Sequence, residues 1–579
     1  MQAATLSAVA IGITYAAGVR DSSNANRGFR IRHEPGENVS YKILLARVTN
    51  PQSSAMMASS WRFRMTRKSL ISNPVVRGLN PDPSACRVGE DFFLATSTGE
   101  FWPGIPIRHS TDLAHWRTIG YAVTRPEQYR RDGLPGQLKL YAPTLRHRKG
   151  RFYLACTNVA PGQGNFIVSA ADPAGPWSDA LWVDSDAFDP SLAFDGDTAY
   201  YTRRTVVPGK EGSGPVVQAE IDVATGVLLT PTRAITPGEA GYRSNDIEGP
   251  HLYRVGDWWY LFSAEGGTWK GHMQTVARSR SPFGPFDGFE GNPVLTHRHR
   301  VGHPIQSTGH AELIDDARGN WWALFLGTRH NGPTSWHHLG RETFLAPVVW
   351  NDGWPVLGND GTVELEHETT QQLPAPGPEW PCERTPWTEG WSTREPPLEG
   401  LRMTVDLSED ATVELPESSG SIQQGGALAA VFLRQTEFSG EFRASIEVVP
   451  THPASAGVSV YASPLHHYDL LASAIGEGVA VTLHKRVGDM IVEHVETFET
   501  AVGVHLRVWC TPQGYSFAAR KAGATGSQDE EWVNVGAGEA RLVSAETSQT
   551  YSGIRFGVLA TRARTRFTMV RWVPSTIGD

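Results

Sequence analysis

The chain has 579 residues, a formal net charge of −9, and hydrophobic side chains at 40% of its positions. That length is enough for two or three domains with cores of their own. The acidic balance argues against nucleic acid or an anionic membrane surface as the main partner, and no apolar run is long enough to cross a bilayer.

The first element in chain order is a leader. Leu6 to Val19, "LSAVAIGITYAAGV", has the apolar character of a signal segment, yet Met1 to Thr5 carries no basic residue ahead of it. Residues 1–70 therefore read as a disordered or mis-assigned leader, with Met57 or Met65 as alternative starts. Without a convincing signal peptide, a cytoplasmic location is favoured over secretion.

A repeat follows, and it dominates the sequence. Five segments share one layout of a short apolar strand, a Gly turn and an aromatic strand. They are "NPDPSACRVGEDFFLATS" from Asn80, "LYAPTLRHRKGRFYLACT" from Leu140, "AFDPSLAFDGDTAYYTRR" from Ala187, "IEGPHLYRVGDWWYLFSA" from Ile247 and "GHAELIDDARGNWWALFL" from Gly309. Their turn glycines, Gly89, Gly150, Gly196, Gly256 and Gly319, lie 61, 46, 60 and 63 residues apart. Each unit reads as a hairpin, and a second hairpin after it completes a four-stranded blade. The spacing predicts an all-β fold with a five-bladed propeller over residues 71–365, which leaves only short, protected sheet edges. The 59 Gly, 39 Pro and 19 Trp residues suit such a fold.

Seven to nine residues ahead of these glycines stand Asp82, Tyr141, Asp189, Glu248 and His310. First strands of propeller blades line the central channel, so these positions converge near the axis. Three carboxylates and a histidine in one partly desolvated pocket cannot all ionise cheaply, and one acid stays protonated near neutral pH. Another, kept ionised, can take a proton from water. That division suits cleavage of a glycosidic bond. No GxSxG elbow, phosphate-binding loop or HExxH pair supports another hydrolytic chemistry. A calcium site built from the same oxygens stays open. Cys86, Cys156, Cys382 and Cys510 are too scattered for a disulfide framework or a zinc site.

Trp102, Tyr141, Trp258 and Trp269 are candidates to stack on sugar rings, while Trp259, Trp321 and Trp322 read as core between blades. Arg341 in "HHLGRETF" is a candidate to bind sugar hydroxyls or to hold a carboxylate ionised. The rival reading is a carbohydrate-binding propeller without catalysis, which would need aromatics and hydrogen bonders rather than three axial acids.

At these residues the sequence resembles glycoside hydrolase family 43, in its two-domain β-xylosidase and α-L-arabinofuranosidase branch. The matching stretches include "NPVVRGLNPDPSACRVGEDFFLATST", "PGIPIRHSTDLAHW", "EGPHLY", "AEGGT", "ARSRSPFGPF", "GHAELI" and "LGRE", in the expected order from Ser72 to Val356. The resemblance implies a five-bladed propeller and hydrolysis with inversion. It implies Asp82 as general base, Glu248 as general acid and Asp189 as the carboxylate that tunes and orients that acid. It also implies His310 as a central-channel histidine beside calcium or water, Arg341 as a substrate-binding arginine, and no cofactor for the chemistry. The substrate it implies is a fragment of xylan or arabinoxylan that loses a terminal xylose or arabinofuranose. Three positions depart from the family pattern. Gly99 replaces an aromatic in "STGEFWPG", Tyr141 replaces a Trp, and Gly249 replaces an Ala in "EGPHLY".

Residues 366–395 are Pro-rich and read as a linker. Beyond them, over residues 396–579, strands such as "FRASIEVVP", "AGVSVYAS" and "HLRVWCT" predict a β-sandwich. In the family branch this domain resembles a lectin-like jelly roll packed against the propeller. "SPLHHYDLL" is the candidate edge for closing the pocket, and its histidines read as a solvated turn.

Overall fold

A computed structural model of the chain describes residues 68–133, 137–185, 187–206, 214–236, 241–331, 336–406, 410–422, 428–499, 501–522 and 531–575. The reading of the leader lies outside them up to residue 67. Ser69 and Leu70, assigned to that leader, instead open a strand, Ser69–Ser72, that pairs with Glu366–Thr369. The segment expected to be linker from residue 366 thus begins inside the fold. It also ends inside one, because Trp391 is buried in the core of the second domain.

Five antiparallel sheets follow in chain order, each running strand to neighbouring strand. Blade I is Ser84–Val88, Asp91–Ala95, Gly104–Ser110 and Arg117–Val123. Blade II begins with Leu140–Arg148, blade III with Ala187–Asp195, blade IV with Ile247–Val255 and blade V with Ile305–Asp315. The second strands are buried on both faces, as in Trp321–Arg329, where only Trp321 is not buried. A strand enclosed between neighbouring sheets has to read that way. The ring closes between the first and last blades, where the Ser84 hydroxyl donates to Glu312 of blade V at 2.6 Å.

The second domain is two packed sheets of seven and six strands. Val504–Cys510 alternates between buried and open positions, with Val504, Leu506, Val508 and Cys510 turned inward. They meet Val458, Val460, Leu470, Phe517 and Phe556 in one core, and each such side chain contributes roughly 1.5–3 kcal/mol by leaving water. Two contacts seat this domain on the propeller near the pocket. Arg555 lies fully buried with its guanidinium 3.6 Å from the Phe101 ring centre, and the Tyr461 hydroxyl donates to Glu100 at 3.1 Å.

Candidate active site

The first strands of the blades meet beneath a cavity of about 750 Å³ whose wall includes Asp82, Asp189, Glu248, Tyr141, His310 and Arg341. Local backbone explains how they converge. Asp82, Ala142, Asp189, Gly249 and His310 all adopt left-handed φ, between 45° and 56°, and in blades II to V the hairpin register shifts at this point. Non-glycine residues pay roughly 1–2 kcal/mol for that conformation, and such strain gathers at functional sites. The equivalent residues of the five blades are therefore these five. Tyr141 and Glu248 each stand one residue earlier, which corrects the alignment made on turn glycines. Asp82, Asp189 and Gly249 stand seven residues before their turn glycines, Ala142 eight and His310 nine, so the bulges make the count differ between blades and a window of seven to nine residues leaves the register open.

Asp82 is buried and held from several sides. Ser97 donates to its Oδ2 at 2.5 Å, and Arg341 Nη1 to its Oδ1 at 3.3 Å. His310 Nδ1 stands 3.7 Å from Oδ1. Burial alone would raise its pKa, but Arg341, His310 and the Ser97 hydroxyl together outweigh burial and bring it below the usual carboxylate value. Asp82 stays ionised.

Glu248 is in the opposite condition. Burial, then the neighbouring Asp189 and Asp246 carboxylates, push its pKa up to about 7 against the pull of Arg204. Its side chain keeps 18% of its surface open, enough to reach a bound molecule. Arg204 Nη1 donates to Glu248 Oε2 at 2.5 Å, and its Nη2 lies 3.4 Å from Asp246. The same guanidinium stacks 4.0 Å from the Phe188 ring centre.

Asp189 links the two. Burial raises it to about 6, with Asp82 adding to the rise and Arg204 opposing it. Its Oδ2 accepts the Gly249 amide at 3.0 Å, which fixes the backbone beside Glu248. A further buried carboxylate, Glu265, holds the approach to this strand by accepting the amides of Tyr242, Arg243 and Ser244 at 2.8–2.9 Å. Gly249 itself makes room for His310, since a Cβ there would come within 2.8 Å of the imidazole. The cavity thus holds an ionised carboxylate and a protonated one near neutral pH, an acid and a base in one site.

The aromatic candidates divide. Tyr141 and Trp269 line the cavity. Trp102 does not; it packs edge-on against Trp387 with centroids 4.9 Å apart and donates its indole N–H to the Thr124 carbonyl at 3.1 Å. It serves the seam between propeller and linker, a role visible only once the second domain is docked. Trp258 lies away from the cavity too, under the guanidinium of Arg280 at 3.8 Å. Gly99 is in the wall at φ +58°, and a Cβ there would stand 3.5 Å from the Tyr141 hydroxyl. Its missing side chain reflects backbone shape as well as room.

Several site residues were not legible as such. Arg204 is the chief one, and its signal was two arginines, Arg203 and Arg204, inside a buried strand where charges rarely sit without a task. Thr268 accepts from Arg341 Nη1 at 3.0 Å. The sandwich completes the rim with Ala462–Pro464 and Thr550–Ser552, and Tyr551 packs on Trp269 with ring centroids 5.6 Å apart. "SPLHHYDLL" does reach the rim through Pro464, whereas His466 and His467, expected in a solvated turn, are buried in the strand His466–Ile475.

A calcium ion beside His310 finds a poor donor set. Hard cations take six or more oxygens, whereas His310 has another imidazole beside it, with His251 5.8 Å away between ring centres. The carboxylate next to it, Asp82, is already engaged by Ser97 and Arg341. These residues do not fit a protein-held calcium.

Arg204→Gln removes the cation that opposes the rise of Glu248. The alkaline limb of the kcat/KM profile should then move to higher pH, because the acid holds its proton longer. An unmoved limb in a pH series on the purified variant would show that Arg204 does not tune this group.

Both domains are similar to those of known proteins. The profile of glycosyl hydrolases family 43 matches residues 71–355, and that of the beta xylosidase C-terminal concanavalin A-like domain matches residues 372–570. The non-reducing end alpha-L-arabinofuranosidase BoGH43B of Bacteroides ovatus is 36% identical over 510 residues, covering 84% of this chain and 90% of its own length. A xylosidase/arabinosidase of Butyrivibrio fibrisolvens is 42% identical over 319 residues, 53% of this chain and 59% of its own. Among solved structures, the Bacteroides ovatus xyloglucan PUL GH43B chain superposes with a TM-score of 0.75 at 32% identity, over 86% of this chain and 98% of its own.

Proposed function

Because the chain belongs to glycosyl hydrolases family 43 and is an exo-acting glycoside hydrolase with a carbohydrate substrate, we propose that it releases terminal pentose with inversion, Asp82 acting as base and Glu248 as acid. Asp82 takes a proton from water as the oxygen attacks the anomeric carbon. The glycosidic bond breaks on the opposite face, and Glu248 gives its proton to the departing oxygen. Asp189 raises the proton affinity of Glu248 and anchors the Gly249 amide. Arg341 bridges Asp82 and Thr268 at the sugar site. The chemistry uses carboxylates and water alone.

The observation that carries this reading is two acids held differently in one cavity: Asp82 bonded by Ser97 and Arg341, which draw its proton affinity down, and Glu248 buried beside Asp189 and Asp246, which raise it. A non-catalytic sugar-binding propeller has no need of it. Activity requires Asp82 ionised and Glu248 protonated. The kcat/KM profile on an oligosaccharide, whose departing oxygen needs the proton, should therefore fall as pH rises through about 7, where Glu248 loses its proton, and hold on the acid side to below the ordinary Asp range. A profile that climbs steadily above neutrality would contradict the assignment of Glu248.

For the sugar, we propose α-L-arabinofuranosidase activity at least comparable with β-xylosidase activity. Gly99 leaves the wall beside Tyr141 without a side chain, giving lateral space to a five-membered ring at a branch point, and BoGH43B carries that activity in its name. Xylan or arabinoxylan fragments are the matching substrates. Comparing 4-nitrophenyl α-L-arabinofuranoside with the β-D-xyloside tests this, and cleavage of the xyloside alone would overturn it. Gly99→Phe, which must also adopt left-handed φ, should shift the ratio toward the xyloside by roughly 1–3 kcal/mol.

A further inference from the structure

Away from the carboxylates, two imidazoles and a carboxylate converge at the seam between blade V and the sandwich. His330 follows the strand Trp321–Arg329, His337 precedes the strand Arg341–Asn351, and Glu546 lies on the short helix Ala545–Ser548. One donor atom from each lies within 4.8 Å of the others, and among the described residues this is the one trio of His, Cys, Asp or Glu so placed. Both imidazoles are buried and Glu546 is partly so.

Their orientation is fixed by neighbours. Glu546 Oε2 accepts the His337 amide at 3.0 Å, which leaves Oε1 on the His337 Nδ1 at 2.9 Å. The Thr328 hydroxyl stands 3.0 Å from His330 Nε2, the kind of outer contact that sets a ligand's tautomer. The two rings stack with centroids 5.5 Å apart and planes 26° from parallel. The His337–Glu546 contact and the ring of His330 stacked on that of His337 place one donor atom from each of the three close enough to reach a common ion.

We propose that His330, His337 and Glu546 bind a divalent transition ion of the zinc type. Imidazole nitrogen with one carboxylate oxygen suits that class and not calcium or magnesium, and three protein ligands leave a position for water. On binding, the proton between His337 and Glu546 passes to solvent and both atoms turn to the metal. The ion then ties the sandwich helix to blade V. The residues after that helix carry the tie to the pocket, since Thr550 donates its amide to the Ala545 carbonyl at 3.3 Å and its hydroxyl lies 2.8 Å from that of Ser552. Thr550, Tyr551 and Ser552 are rim residues of the catalytic cavity, so the ion steadies the rim. This last consequence rests on the pentosidase reading; the metal site does not.

The test uses the tag-free full chain, stripped with a chelator. Zn²⁺ should bind with a single equivalent by calorimetry and raise the melting temperature, and Co²⁺ should give visible d–d absorption. Glu546→Gln keeps the acceptor for the His337 amide but loses the charge, and His330→Ala removes one ligand. Each should weaken binding by about tenfold or more with an unchanged circular dichroism spectrum, whereas His310→Ala should bind as the parent does. Absence of binding to the parent chain, binding unaltered in both site variants, or its loss in His310→Ala would overturn the site. Stripping should also raise KM on an aryl pentoside with little change in kcat. Binding without that change in KM would overturn the link to the rim and leave the site standing.

Discussion

Glu248→Gln should lower kcat/KM on oligosaccharides by roughly 10²–10⁴-fold, the range for loss of a general acid. Gln keeps the size of Glu, and its amide oxygen can still accept from Arg204, which now donates at 2.5 Å. What disappears is the proton. The departing sugar oxygen of a natural substrate is a poor leaving group and needs that proton in the transition state. A nitrophenolate leaves without it, so aryl glycosides should lose far less. Equal losses on both kinds of substrate would remove Glu248 from the acid's role. The alkaline limb near pH 7 should vanish with it, since the group that sets it is gone.

Asp82→Asn should be as damaging, again roughly 10²–10⁴-fold, but alike on both kinds of substrate. Water must be deprotonated whatever group departs. Asn retains one oxygen to accept from Ser97 or Arg341, so the fold around it should persist, with the Arg341 cation now lacking its anion. A substrate-dependent loss, severe on natural oligosaccharides and mild on aryl glycosides, would make Asp82 the acid and reverse the two roles. Measuring both variants on both substrates gives a crossed comparison in which each assignment can fail separately.

The propeller was readable in the sequence because its turns impose a residue type. Gly89, Gly150, Gly196, Gly256 and Gly319 all take φ between 54° and 82°, and a Cβ on any of them would meet nothing within 4 Å. Backbone conformation alone keeps glycine there, so the spacing survives whatever surrounds it. Counting back from those turns found Asp82, Asp189 and His310 at equivalent positions. It missed the register by one residue at Glu248 and Tyr141, because a window of seven to nine residues does not fix the register: Asp82, Asp189 and Gly249 stand seven residues before their glycines, Ala142 eight and His310 nine.

Contacts formed across the chain were less legible. Arg204 comes from the second strand of one blade to a carboxylate on the first strand of the next, and nothing in local periodicity reports such a meeting. Trp102 and Trp269 look alike as aromatic residues in polar surroundings, yet one ends at a domain seam and the other in the cavity. Which is which depends on where the sandwich docks. The rim at Thr550–Ser552 was hidden for the same reason, being far along the chain from the propeller residues that it faces.

The most direct test of the account is the configuration of the sugar at the moment of release. Proton NMR on an aryl β-D-xyloside, recorded within the first minutes of hydrolysis, follows the anomeric signal before mutarotation blurs it. Attack by water activated at Asp82, on the face opposite Glu248, predicts that α-xylose appears first and the β anomer only as equilibrium is reached. Appearance of β-xylose first would mean two displacements through a covalent intermediate, and the pairing of Asp82 as base with Glu248 as acid would be wrong.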